Sequence, residues 1–145
     1  METQDDATMS QSYFIEPGNF ILAGEAAEQI KKILKQLGID AALIRKVAIA
    51  SYEAEMNLVI HSVGGRLILN VNPQEITIIA QDDGPGIKDI ELAMKEGYST
   101  APDAARELGF GAGMGLPNIK RYSDRFAIQS AEGEGTRVEM TFYLS

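Results

Sequence analysis

The stretch Ile78 to Leu116, IIAQDDGPGIKDIELAMKEGYSTAPDAARELGFGAGMGL, carries two glycine-bearing turns with a spacer of about twenty residues between them. The first turn is Asp82-Asp83-Gly84-Pro85-Gly86-Ile87. It follows the apolar run Ile76 to Ala80, which reads as a buried strand, so its acid sits at a strand end. The second turn runs from Gly109 to Leu116 and leads into a helical pattern made by Leu116, Ile119, Lys120, Tyr122 and Ser123. Glycines there bring bare backbone N–H groups to a helix N-terminus, where an anion is favoured. The second turn is therefore laid out as a phosphate cradle.

Spacing excludes three familiar loops. A dinucleotide fingerprint needs GxGxxG, but Gly109 and Gly111 are followed by Met114 at the last glycine position, and Gly111 and Gly113 by Leu116. A Walker loop needs a Gly-Lys pair, and the chain contains none. A calcium loop beginning at Asp82 would put Gly84 and Gly86 where oxygen ligands belong and Ala93 in place of its final glutamate.

What remains is DxGxG followed by GxGxGxG, with the spacing ExxxN upstream in Glu53-Ala54-Glu55-Met56-Asn57. These three boxes, in this order, resemble the nucleotide-binding boxes of the ATPase superfamily shared by gyrase, the Hsp90 chaperones, histidine kinases and MutL. Alone, Glu53 and Asn57 would be ordinary solvated positions one turn apart on an amphipathic helix. In company with the two glycine turns they read as a nucleotide box.

Composition sets the frame around these motifs. The 145 residues fit one domain with a real core and need no disulfide, since cysteine is absent. With no basic leader and no long apolar run, the chain reads as soluble and cytoplasmic. The 21 acids against 13 bases leave a net charge of −8, which disfavours nucleic acid and anionic membranes as partners. ATP is not disfavoured, because a nucleotide site is local.

From the N-terminus, residues 1–11 are polar, acidic and aperiodic and read as a disordered lead-in, with a single domain over 12–145. Ser12 to Glu16 suits a short strand before the Pro17-Gly18 turn. Ala26, Ile30, Ile33, Leu34 and Leu37 recur at helical spacing, and Gly38 is a C-terminal stop. Asp40 is an N-cap for a second helix through Leu43, Ile44, Val47, Ala48, Ala50 and Ile60. His61, the one histidine, lies four residues past Asn57; a helix-end residue near the cleft mouth suits it better than a phosphoacceptor role. Gly64-Gly65 opens two antiparallel strands, Arg66 to Val71 and Glu75 to Gln81, joined by Asn72-Pro73-Gln74. Ile90 to Lys95 reads as a short helix, Pro117 suits the first turn of another helix running to about Asp124, and Phe126 to Ser130 and Thr136 to Leu144 read as strands.

Within the superfamily, "IIAQDDGPGIKDIELAMKEGYST", "GFGAGMGLPNIKRYSDRF" and "GEGT" resemble the small bacterial serine/threonine kinases of partner-switching systems, the anti-sigma-factor kinases and the switch-protein kinases of stress signalling. That resemblance spans residues 12–144 and implies an α/β fold, a two-layer sandwich with helices on one face of a mixed β-sheet. It implies ATP and Mg²⁺ as cofactors and, as partners, a small antagonist protein bearing the phosphoacceptor serine or threonine and a sigma factor or other downstream regulator. A homodimer is common in the anti-sigma branch. By the same resemblance Asn57 binds the Mg²⁺ that bridges the phosphates, and Glu53 orients or deprotonates the incoming nucleophile. Asp82 accepts a hydrogen bond from the adenine amine, where guanine would present a carbonyl. Gly84, Gly86 and Ile87 lie against the base. Gly109, Gly111, Gly113, Met114, Gly115 and Leu116 form the second nucleotide-binding turn, and Thr136 reaches adenine through water. The connection Ser99 to Leu108 corresponds to a lid, with Arg106 placed either on the terminal phosphate or in a surface salt bridge. A nucleotide-gated binding protein and a simple ATPase use the same boxes and stand as alternatives.

Overall fold

The structure, a computed structural model, describes residues 9–16, 18–19, 21–61, 64–82, 115–131 and 135–144. Five strands form one sheet: β1 (Met9–Ile15), β2 (Gly65–Val71), β3 (Glu75–Asp82), β4 (Arg125–Ala131) and β5 (Gly135–Tyr143). Their order is β1-β2-β3-β5-β4. Three helices accompany them: α1 (Glu25–Gln36), α2 (Ala41–His61) and α3 (Gly115–Tyr122).

Period-two patterning makes the sheet one-sided. Leu67, Leu69 and Val71 of β2, Ile76, Ile78 and Ala80 of β3, and Val138, Met140 and Phe142 of β5 are all buried. The alternate residues Arg66, Gln81, Arg137 and Glu139 are exposed or half-buried on the other face, where Arg137 and Glu139 form a surface ion pair at 3.0 Å. Ile30 and Leu34 of α1, Val47 and Ala50 of α2 and Ile119 of α3 are fully buried in the same core cluster. The result is the expected two-layer α/β sandwich with helices on one face. The sheet expected to be mixed is antiparallel in all four pairings of its described strands, and it is the strand order that is non-sequential.

Local chemistry fixes the element ends. The Asp40 carboxylate accepts the N–H groups of Ala42 and Leu43 at 3.1 and 3.4 Å, capping α2 as its sequence predicts. Gly38 adopts φ 76° just past α1, and the N–H of Ile39 returns to the Leu34 carbonyl at 3.1 Å. In the turn between β2 and β3, Asn72 Oδ1 accepts the N–H groups of Gln74 and Glu75 at 2.8 and 2.9 Å.

One boundary differs from expectation. β1 begins at Met9, so residues 9–11, read as part of the disordered lead-in, pair with Leu69 to Val71 of β2. Most of that strand's side chains are exposed, which left no alternation to read. α3 begins at Gly115, inside the second glycine turn, and Pro117 lies in its first turn as expected. The short helix expected over Ile90 to Lys95 and the lid with Arg106 lie outside the described residues. Among the described residues no helix is long and apolar enough to cross a membrane.

Candidate nucleotide site

α2 is the element on which the site is built, because it packs against α1, α3 and the sheet. Ile44, Val47, Ala50, Ser51, Ala54, Glu55, Leu58 and Val59 are buried along it. Ile49, Glu53, Asn57 and Ile60, at spacings of four, four and three, are all half-buried. At 100° per residue these four fall on a single stripe. Glu53 and Asn57 therefore share the partly open face of a helix whose opposite face is core, as the ExxxN spacing requires.

The second group gathers at the end of the sheet. β3 delivers Asp82 there, opposite Gly65 of β2. Asp82 is half-buried, and its Oδ1 accepts the backbone N–H of Thr136, the second residue of β5, at 3.0 Å. Two residues 54 positions apart, both assigned to adenine by resemblance, thus meet at one sheet end. A carboxylate fixed by a backbone donor has its orientation set before any ligand arrives.

Gly65 explains how α2 comes so close to that strand end. A Cβ added there would lie 2.7 Å from the Gln81 carbonyl oxygen, 2.8 Å from Leu58 Cδ2 and 3.3 Å from Asp82 Cβ. Leu58 directly follows Asn57, so the missing side chain lets α2 sit down on the β2–β3 end, beside Asp82. Sequence reading placed this glycine in a turn and missed its packing role; the paired Gly64-Gly65 before a strand was the available signal.

Glu55 is the second residue that sequence reading missed. It lies between Glu53 and Asn57 and is only 2% exposed. Its Oε2 accepts the N–H groups of Gly24 and Ala26 at 3.0 and 3.2 Å, and its Oε1 that of Ala27 at 2.9 Å. These are the orphan donors at the N-terminus of α1, whose N-cap residue Gly24 has no side chain to satisfy them. The adjacent Tyr52 has its phenol pKa raised by burial first and then by the negative charges of Glu53 and Glu55.

Of the second turn, Gly115 is the first residue of α3 and Leu116 the next. Gly84, Gly86, Ile87, Gly109, Gly111, Gly113 and Met114 lie outside the described residues. His61 is the last residue of α2. Among the described residues no cluster of three or more His, Cys, Asp or Glu side chains is shaped for a metal. A Mg²⁺ held by one protein oxygen together with phosphates and water requires no such cluster.

Residues 21–142, most of the chain, match the histidine kinase-like ATPase domain family. The chain belongs to that family. Within it, the chain is 32% identical over 124 residues to the serine/threonine-protein kinase RsbT of Bacillus subtilis, covering 82% of this chain and 87% of that one. It is also 32% identical over 117 residues to an anti-sigma F factor of Clostridium novyi, covering 77% and 78% of the two chains. The same fold recurs in the SiaB–SiaC complex of Pseudomonas aeruginosa, with a TM-score of 0.63, 15% identity and 97% of this chain and 92% of that one covered. It recurs again in the RsbU and RsbW domains of a Mycobacterium tuberculosis protein, with a TM-score of 0.60 and 18% identity. There 92% of this chain covers 32% of the longer one.

Proposed function

We propose that this chain is an ATP-dependent serine/threonine protein kinase of the partner-switching type, acting in the cytoplasm on a small antagonist protein. The observation that carries the reading is the pairing of Asp82 with Thr136 at the sheet end beneath the helix that presents Glu53 and Asn57 on its open stripe. The names of its relatives, a serine/threonine kinase and an anti-sigma factor, agree with it.

In this reading Asp82 accepts the adenine amine and Thr136 supports the base through water. Asn57 is the protein oxygen that would hold Mg²⁺, whose charge offsets that of the phosphates. Glu53, one turn from Asn57, orients the partner's hydroxyl and receives its proton. The bond formed joins that hydroxyl oxygen to the γ-phosphorus, and the bond broken is between the γ-phosphorus and the β,γ-bridging oxygen, leaving ADP. Phosphoryl transfer asks for positioning and charge neutralisation more than for covalent chemistry, and this set of residues supplies the positioning.

The test is incubation with γ-labelled ATP, Mg²⁺ and candidate antagonist proteins, followed by phosphoamino-acid analysis. Label on serine or threonine of the partner is the expected result. Label released only as free phosphate would replace the kinase by an ATPase, and ATP bound without turnover would replace it by a nucleotide-gated binder.

A further inference from the structure

Glu55 is a buried carboxylate that neither the nucleotide reading nor the core requires. Its three backbone N–H donors compensate for its burial, helped by the positive end of the α1 dipole. An apolar side chain would fill the same space but leave these N–H groups unsatisfied and tie α2 to α1 by no directed bond. The acid therefore contributes something that packing alone does not, namely direction.

We propose that Glu55 is a positioning residue for phosphoryl transfer: by clamping the N-terminus of α1, it fixes the rotation of α2 about its own axis and so aims Glu53 and Asn57 at the phosphates. This rests on the kinase reading given above. Glu55 lies two residues from each of them, about 200° around the helix, so the clamp and the site occupy opposite faces. A helix held only by apolar ridges can roll. With side chains about 5 to 6 Å from the axis, a roll of about 20° moves a side-chain tip by roughly 2 Å. Misplacement by about 1 Å costs on the order of 10²-fold in rate, so the angular setting of α2 is worth fixing.

A second contact closes the same joint. Gly24 adopts φ 96°, and a Cβ there would lie 3.1 Å from the ring of Tyr52. The chain entering α1 is therefore pressed onto α2 at Tyr52 while its N–H groups are held at Glu55, one turn further along. Two contacts on the α1 side resist rotation better than one.

The isosteric variant Glu55→Gln keeps one acceptor but turns an amide N–H₂ toward backbone donors, loosening the clamp without emptying the space. Two readouts separate positioning from plain stability. The first is the gain in ATP affinity on adding Mg²⁺, measured by calorimetry with and without chelator, because it reports Asn57. The second is the transfer rate at saturating ATP. For Glu55→Gln the Mg²⁺ gain should shrink and the transfer rate fall about tenfold or more, while ATP affinity without Mg²⁺, set by Asp82, stays at the parent value. Gly38→Ala is the control, because it strains the other end of α1 at a φ of 76° with open space around it. It should lower the thermal midpoint and leave both readouts unchanged. A Glu55→Gln protein with a lowered midpoint but the parent Mg²⁺ gain and the parent rate would overturn the proposal and leave Glu55 a helix cap only. A parent protein that binds Mg²⁺-ATP but labels no partner would count against the kinase reading, and the Glu55 proposal would then be decided on the Mg²⁺ gain alone.

Discussion

The residue with the clearest chemistry is Asp82, whose orientation is set by Thr136 at 3.0 Å. In the proposed site Asp82→Ala removes the acceptor for the adenine amine, so ATP affinity should fall by about 1 to 3 kcal/mol, with the fold retained. Calorimetry of ATP and GTP checks this: the parent prefers ATP and the variant loses the preference. Unchanged ATP affinity in a folded variant would remove Asp82 from the site. Asn57 and Glu53 should fail differently although they are neighbours on one stripe. In Asn57→Ala, Mg²⁺-dependent binding and transfer should fall together. In Glu53→Ala, binding should persist while transfer drops by about 10²- to 10⁴-fold if it acts as a general base. A Glu53→Ala enzyme that transfers phosphate at the parent rate would take away its catalytic role.

Among the elements, the contact of α2 with the β2–β3 end decides the geometry, and Gly65 is where it is most sensitive. Its added Cβ would meet a backbone oxygen at 2.7 Å and Leu58 at 2.8 Å, and the backbone atom cannot give way cheaply. Gly65→Ala should destabilise the fold by about 1 to 3 kcal/mol through overpacking, and should weaken ATP because Asp82 lies 3.3 Å from the same point. Urea unfolding with parallel calorimetry checks both, and a neutral effect on each would show that the joint is looser than these distances imply. Such joints mark the limit of what the sequence makes legible. α1, β2 and β3 were readable because their apolar residues keep period, and Gly38, Asp40 and Asn72 mark the ends of α1, α2 and β2 in roles that depend only on local backbone chemistry. The Glu53–Asn57 stripe was readable for the same reason, since a spacing of four on a helix fixes a face. Glu55 was not, because its partners at Gly24, Ala26 and Ala27 are 28 to 31 residues away and are backbone atoms that leave no side-chain signature. The start of β1 at Met9 was equally hidden, since a solvent-exposed strand at the edge of a sheet need not alternate.

For the whole molecule, the proposed site, assembled from α2, β3 and β5, would bind nucleotide in the folded chain and not in the unfolded one. Asp82 and Thr136 come together only when β3 and β5 pair, and the Glu53–Asn57 stripe exists only while α2 is helical. Ligand at a hundred times its dissociation constant should therefore stabilise the fold by about 2.7 kcal/mol. For a domain of this size that corresponds to a rise in the thermal midpoint of roughly 5 to 10 °C. The shift should divide between the two ends of the site. ATP without Mg²⁺ should give the part that depends on Asp82, and adding Mg²⁺ should give a further part that depends on Asn57. Asp82→Ala should lose the first part and Asn57→Ala the second, while GTP at the same concentration should raise the parent midpoint less than ATP does. Kinase, ATPase and gated binder would all obey this pattern, so the scan tests the site independently of the reaction. Equal shifts with ATP and GTP, or a Mg²⁺ increment that survives Asn57→Ala, would show that the nucleotide is held elsewhere on the chain.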